Sequence, residues 1–242
     1  MPPESSETPA GRRLPAMLVT LLFAGFTVLL LQQTNIAVQN SLRLFVPQLD
    51  WQRDLLALSL DRLAYALVVC GTGWLLFRRW FVGAMPTRRE APPPGDRWVG
   101  LLVGALVGAL LFLGIAAIGP LLEFYELVPA PRRQSLGQAL QNDTTTLVLH
   151  LLFTGCVTAA LEEMFYRVSV QGFLHSHALP AWSAIVVTAA LFALGHPGVM
   201  PLLFVVGLAF GFLFWRYGPG SATLAHALYN SLLLLAHHLF QE

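Results

Sequence analysis

Lysine is absent from this 242-residue chain, and all 14 basic residues are arginine. Charged residues of both signs make up only 11% of it, against roughly 25% in a soluble globular domain. So sparse a charge excludes an ordinary soluble domain. The net charge of +1 excludes a nucleic-acid-binding surface. With only two cysteines, Cys70 and Cys156, both within apolar stretches, a disulfide scaffold is excluded, and both read as buried thiols. There is no internal repeat, no glycine-rich phosphate loop, no dinucleotide fingerprint and no His-Glu-x-x-His helix. Nucleotide-binding folds and the commonest zinc-protease signature are therefore missing. An all-arginine basic set goes with a GC-rich, bacterial-looking coding sequence, which makes a bacterial cytoplasmic membrane the expected location.

What the chain has instead is apolar residues, 56% of the total, with a mean hydropathy of +0.64. The class expected is an all-α, polytopic membrane helix bundle of about seven to eight spans, with any site inside the bundle. Residues 1–13 are Pro/Ser/Glu-rich and read as disordered. Residues 14–142 read as N-terminal transmembrane helices and 143–242 as a separate functional core. The spans expected are Leu14–Leu31 (an uncleaved anchor), Leu55–Phe77, Trp98–Leu122, Thr145–Gly172, Pro180–His196, Pro201–Tyr217 and Ser221–Phe240. Asp61 and Arg62 fall within the second and read as structural. Glu123–Asn142 is a polar connection, after which Asp143 or Thr144 can cap the long helix. Gly100, Gly104 and Gly108 form a stripe that admits another helix closely, and Gly207 and Gly211 form a second such pair.

Arginine placement sets the orientation. With the N-terminus in the cytoplasm, Arg12, Arg13, Arg78, Arg79, Arg88, Arg89, Arg97 and Arg216 lie inside. They outnumber Arg43, Arg53, Arg132 and Arg133 outside.

Against this background three charges stand out in one apolar segment: Glu162, Glu163 and Arg167. Each costs at least about 2.5–3.5 kcal/mol in hydrocarbon, and adjacent carboxylates repel. Glu163 and Arg167 are four apart on one helical face, acid first, the favourable order for an ion pair. Glu162 points about 100° away, so Glu163–Arg167 reads as a brace and Glu162 as the free, proton-accepting carboxylate. Phe192 and His196 share a face of a later helix, and His226 and Asn230 share a face of the last. Glu162 lies roughly 18 Å from the turn near 174–180, and His196 roughly 24 Å above that turn. His226 and Asn230 lie roughly 9 and 15 Å above the turn near 218–220. With both turns on one membrane side, Glu162, His196 and Asn230 fall at similar depths, where a single polar cluster can form.

Such a cluster suits hydrolysis. A desolvated carboxylate beside a histidine can take a proton from water and return it to a leaving amine. His226 and Asn230 offer donors to an oxyanion. No serine or cysteine is placed as a nucleophile. Most simply no cofactor is needed; Zn²⁺ held by Glu and His ligands is the alternative.

The pattern Glu162-Glu163-x-x-x-Arg167, Phe192-x-x-x-His196 and His226-x-x-x-Asn230 resembles the three-motif signature of the CAAX protease and bacteriocin-processing (Abi) family. These intramembrane endopeptidases are related to the type II CAAX prenyl endopeptidase. The resemblance spans about Thr145–Phe240; residues 1–140 match only as membrane spans. It implies that Glu162 and His196 activate water and that His226 and Asn230 form the oxyanion site. It implies a membrane-embedded or lipid-anchored polypeptide substrate, no nucleic acid, and an open oligomeric state. Family members are described both as glutamate proteases and as metalloproteases, so the metal question stays open here. Two other classes are a catalytically silent scaffold or bacteriocin self-immunity protein, and a proton-coupled transporter. The transporter lacks support because no inverted repeat is visible.

Overall fold

The computed structural model describes residues 94–124, 144–177, 179–196 and 200–239 continuously, with individual helical positions between 18 and 45 and between 60 and 71. Helix α1 (Pro94–Phe124) shows why these elements form a membrane bundle. Its glycines at 100, 104 and 108 face inward, while Leu102, Leu106, Leu110 and Leu113 on the other side are all more than half exposed. Small residues inside and leucines outside invert the water-soluble pattern and suit a hydrocarbon surround. Four further helices follow, and among the described residues there is no strand. Helix α2 (Thr144–His177) is long; α3 (Ala181–Leu194) and α4 (Met200–Tyr217) form a hairpin; α5 (Pro219–Leu239) closes the bundle. The chain is an all-α membrane helix bundle. Within it, 97–118 and 147–176 are long and apolar enough to cross a membrane alone, and α3 and α4 are shorter apolar helices.

The glycine stripe works as its spacing suggests. A Cβ on Gly104 would stand 2.5 Å from the Ser221 carbonyl oxygen, and one on Gly108 2.5 Å from that of Ala225. Only glycine permits so close an approach of α1 to α5. Ser221 adds a bond from its hydroxyl to the Gly100 carbonyl at 2.6 Å. On α4, Gly207 packs on Ala189 and Gly211 on Ile185 of α3. Gln171 of α2 donates to the Gly211 carbonyl at 3.0 Å, tying α2 to the same hairpin. The α4–α5 turn is made at Gly218, whose φ of 89° is natural only for glycine.

At one end of the bundle Trp182 stacks on Phe212 at 5.7 Å and contacts Trp215 at 5.6 Å. Trp98, Trp182 and Trp215 are exposed there, with Arg97 and Arg216 beside them in sequence. Aromatic rings and arginines gathered at the helix ends mark a membrane–water interface.

Some expectations are corrected. Cys156 is free and exposed, not buried: an apolar stretch in a membrane bundle has a lipid-facing side, and a thiol is at home there. The helix expected over Pro180–His196 ends at Leu194. Gly195 and His196 turn out of it, held by bonds from their backbone amides to the carbonyls of Leu191, Phe192 and Ala193. Pro180 stands at the cap position before α3, with ψ of 154°, so the helix begins one residue later than expected. The expectations for 1–13, for the arginines from Arg78 to Arg89, for Cys70 and for a cap at Asp143 lie outside the described residues.

Helix α2 is not a uniform α-helix. Two π-helical stretches, Leu151–Thr158 and Met164–Gln171, flank the α turn Ala159–Glu163 that carries both glutamates. Within each stretch a hydroxyl reaches back five residues: Thr158 to the Phe153 carbonyl at 2.9 Å, and Ser169 to that of Met164 at 3.1 Å. That reach matches the wider i→i+5 winding, and π segments often occur at functional sites.

Candidate active site

Five residues on from Thr158, Glu163 begins the polar centre. Its carboxylate accepts from two sides: Arg167 Nε–H donates to Oε2 at 3.2 Å, and His226 Nδ1–H donates to Oε1 at 2.9 Å. Arg167 is fully buried and Glu163 is 1% exposed. Bringing two such charges out of water costs several kcal/mol each, and only good geometry recovers it. The guanidinium completes its surroundings with a ring, its carbon lying 5.3 Å from the Phe192 centroid, a cation–π contact. Its two terminal nitrogens have no hydrogen-bond acceptor among the described residues.

Glu162 is held differently. Its Oε2 lies 3.7 Å from His226 Nε2, and its Oε1 accepts from the Tyr65 hydroxyl at 3.2 Å. The imidazole of His226 therefore stands between the two carboxylates, bonded to one and facing the other. Phe210 stacks on it at 4.7 Å and 26°, and Phe192 meets it edge-on at 5.8 Å. Two aromatic rings and one anion leave the imidazole a single orientation.

Asn230 lies one turn beyond His226 on α5, and its side-chain amide makes a long, 3.5 Å contact with the Thr154 carbonyl of α2. His196, half-buried beyond the end of α3, donates from Nδ1 to the Phe192 carbonyl at 2.9 Å and packs on the Phe192 ring at 4.8 Å. Its Nε2 is not engaged by that bond. The structure thus brings Glu162, Glu163, Arg167 and His226 into direct contact. Asn230 touches the same long helix two turns away, and His196 joins through the shared face of Phe192. Sequence reasoning missed Tyr65, which lies in another part of the chain, and Phe210. The only signal for Phe210 was an aromatic ring one residue before Gly211.

Among the described residues no group of three or more His, Cys, Asp or Glu side chains is arranged to hold a metal ion. Glu163 is already committed to Arg167 and His226, and His196 Nδ1 to a carbonyl. Glu162 Oε2, His226 Nε2 and His196 Nε2 are not taken up by these bonds.

Chemically, the arrangement joins one carboxylate neutralised by a buried arginine to a second that is not so neutralised, with a fixed imidazole between them. That is the equipment of acid–base hydrolysis. No curated protein and no solved structure matches the chain. A family model does: residues 144–232, which hold every polar group just described except Tyr65, match the family described as type II CAAX prenyl endopeptidase Rce1-like. Over this segment the chain is similar to a family of CAAX endopeptidases, as the three motifs led one to expect.

Proposed function

We propose that the protein is an intramembrane endopeptidase that hydrolyses peptide bonds of membrane-embedded or lipid-anchored polypeptides through water activated by Glu162. The observation that supports this best is the unequal treatment of the two glutamates. Glu163 is consumed by Arg167 and His226, whereas Glu162 keeps an oxygen facing His226 at 3.7 Å, beyond hydrogen-bond length. Water held against that oxygen and against His196 loses its proton to Glu162 as it attacks the scissile carbonyl. The tetrahedral oxyanion is met by His226 Nε2–H and the Asn230 amide, aimed where negative charge develops. A protonated imidazole there is compensated by the Glu163 carboxylate at its other nitrogen. Glu162 then delivers its proton to the departing amine, and both products leave with the carboxylate restored.

Metal-free chemistry is part of this proposal, with Zn²⁺ as the alternative. So is the topology, with the end bearing Trp98, Trp182, Trp215, Arg97 and Arg216 on the cytoplasmic side of a bacterial inner membrane. The substrate class is supported by the family description, type II CAAX prenyl endopeptidase, and by the place of the polar centre inside the bundle.

The test uses full-length protein in detergent or liposomes with two quenched peptides, one carrying a lipidated cysteine near its C-terminus and one an apolar C-terminal tail. Cleavage of either by the wild type, and its abolition in a folded Glu162→Gln variant, is the expected result. Undiminished cleavage in that variant would overturn the assignment of Glu162.

A further inference from the structure

Among the described residues, the polar centre has a partner from outside the segment that matches the family. Tyr65 belongs to the helical segment 60–71, roughly a hundred residues before Glu162, yet its hydroxyl lies 3.2 Å from Glu162 Oε1. The contact is seated by packing and not by a chance rotamer. Tyr65, Val68 and Val69 lie on one helical face, spaced i, i+3 and i+4. All three pack into the core formed by Phe165, Tyr166 and Phe192, where Val69 is 2% exposed. That core is built directly against the two glutamates, so the segment's docking fixes where the phenol points.

The bond also divides the work of the Glu162 carboxylate. One oxygen accepts from Tyr65, and the other faces His226 Nε2. A carboxylate on a flexible two-carbon stem has several rotamers. A donor on one oxygen selects the rotamer whose second oxygen faces the imidazole and the reacting water. The same donor takes up one of the lone pairs that burial would otherwise leave unsatisfied.

We infer that Tyr65 is a positioning residue for Glu162, so that the N-terminal half of the chain supplies part of the hydrolytic site and not only membrane spans. The inference rests on Glu162 being the base, as proposed above, and extends that reading to a helix that none of the three motifs includes. Tyr65 touches neither substrate nor water in this assignment. Its effect is transmitted through the orientation of one carboxylate.

Two measurements on full-length protein test it. In the cleavage assay Tyr65→Phe is expected to lower kcat about ten- to a hundredfold, the range for losing a hydrogen bond to a charged group, with KM and melting temperature close to wild type. In a Glu162→Asp background, whose shorter side chain cannot reach the phenol, Tyr65→Phe is expected to add no further loss, since coupled residues are non-additive. The same fold-loss in both backgrounds, or no loss in either, would overturn the inference. The second measurement needs no turnover and separates this inference from the proposed function. The infrared carboxyl band that Glu162→Gln removes is expected to move to higher wavenumber in Tyr65→Phe, because a donor to that group is gone. A band unmoved by Tyr65→Phe would overturn the inference even if proteolysis is found. A moved band in a protein that cleaves nothing would leave Tyr65 bonded to Glu162 and refute only the proteolytic reading.

Discussion

Replacing Glu163 by glutamine removes the anion from between two donors and leaves its shape. Arg167, with no exposed surface, then keeps its charge with no carboxylate beside it. Breaking a buried pair from one side typically costs about 3–5 kcal/mol, because an uncompensated charge stays behind. For a chain of this length 1 kcal/mol corresponds to roughly 2–4 °C in melting temperature, so Glu163→Gln should melt about 6–20 °C lower. Adding Arg167→Met removes the stranded charge, fills the space with an apolar chain and sets a thioether against Phe192 where the guanidinium stood. Most of the lost stability should return, since apolar replacements of whole buried pairs are often neutral. Turnover should not return. His226 Nδ1 has still lost the anion that orients it at 2.9 Å, and an imidazole aimed at the oxyanion is worth about a hundred- to a thousandfold in rate. Melting curves of the wild type, the single and the double variant, with cleavage rates for each, separate the two roles. A single variant as stable as wild type, or a double variant no more stable than the single, would refute the buried-brace reasoning.

Three further outcomes follow from the geometry. Gly108→Ala should destabilise by about 1–3 kcal/mol, since its Cβ would stand 2.5 Å from the Ala225 carbonyl next to His226. Gly114→Ala, with nothing within 4 Å of the added Cβ, should be neutral or slightly stabilising; paired melting curves check both. His226→Ala and Asn230→Ala should each lower kcat about a hundred- to a thousandfold with little change in KM, and wild-type turnover in both would remove their oxyanion role. Activity should survive exhaustive chelation, with substoichiometric zinc by elemental analysis and no change of metal content in His196→Ala; stoichiometric zinc lost together with activity would refute the metal-free chemistry.

What was legible in the sequence was local or periodic. The Glu163–Arg167 pair needs only helical spacing, and the structure forms it. The glycine stripe of α1 needs only a four-residue repeat, and it seats α5. Depth arithmetic put Glu162, His196 and Asn230 at similar levels, whereas the structure sets His226 against Glu162 and Asn230 against Thr154 two turns away. Depth estimated from turns gives neither the exact shift of α5 along α2 nor rotation about a helix axis. Hence it did not reveal that His226 Nδ1 turns to Glu163 while Nε2 faces Glu162. Tyr65 was out of reach because its partner is far away in sequence and a tyrosine in a span carries no signature of its own. The π winding of α2 was equally hidden, since it depends on where backbone bonds slip by one residue. Cys156 was misplaced because hydropathy cannot distinguish a core-facing from a lipid-facing side chain when both surroundings are apolar.

The brevity of α3 has a bearing on supply. Its 14 residues extend about 21 Å, some 9 Å less than a typical hydrocarbon core of about 30 Å. Starting from the Trp182 interface, the non-helical pair Gly195–His196 therefore falls at a level where bare peptide groups are tolerated only if protein encloses them or water wets them. His196 is half-buried, which leaves wetting as part of the answer. A film pinched to the length of a short helix, or breached at its tip, would bring solvent toward the level of the glutamates from the opposite face. Polypeptide arriving sideways out of the lipid and water arriving along the bilayer normal would then meet from different directions, with neither having to displace the other.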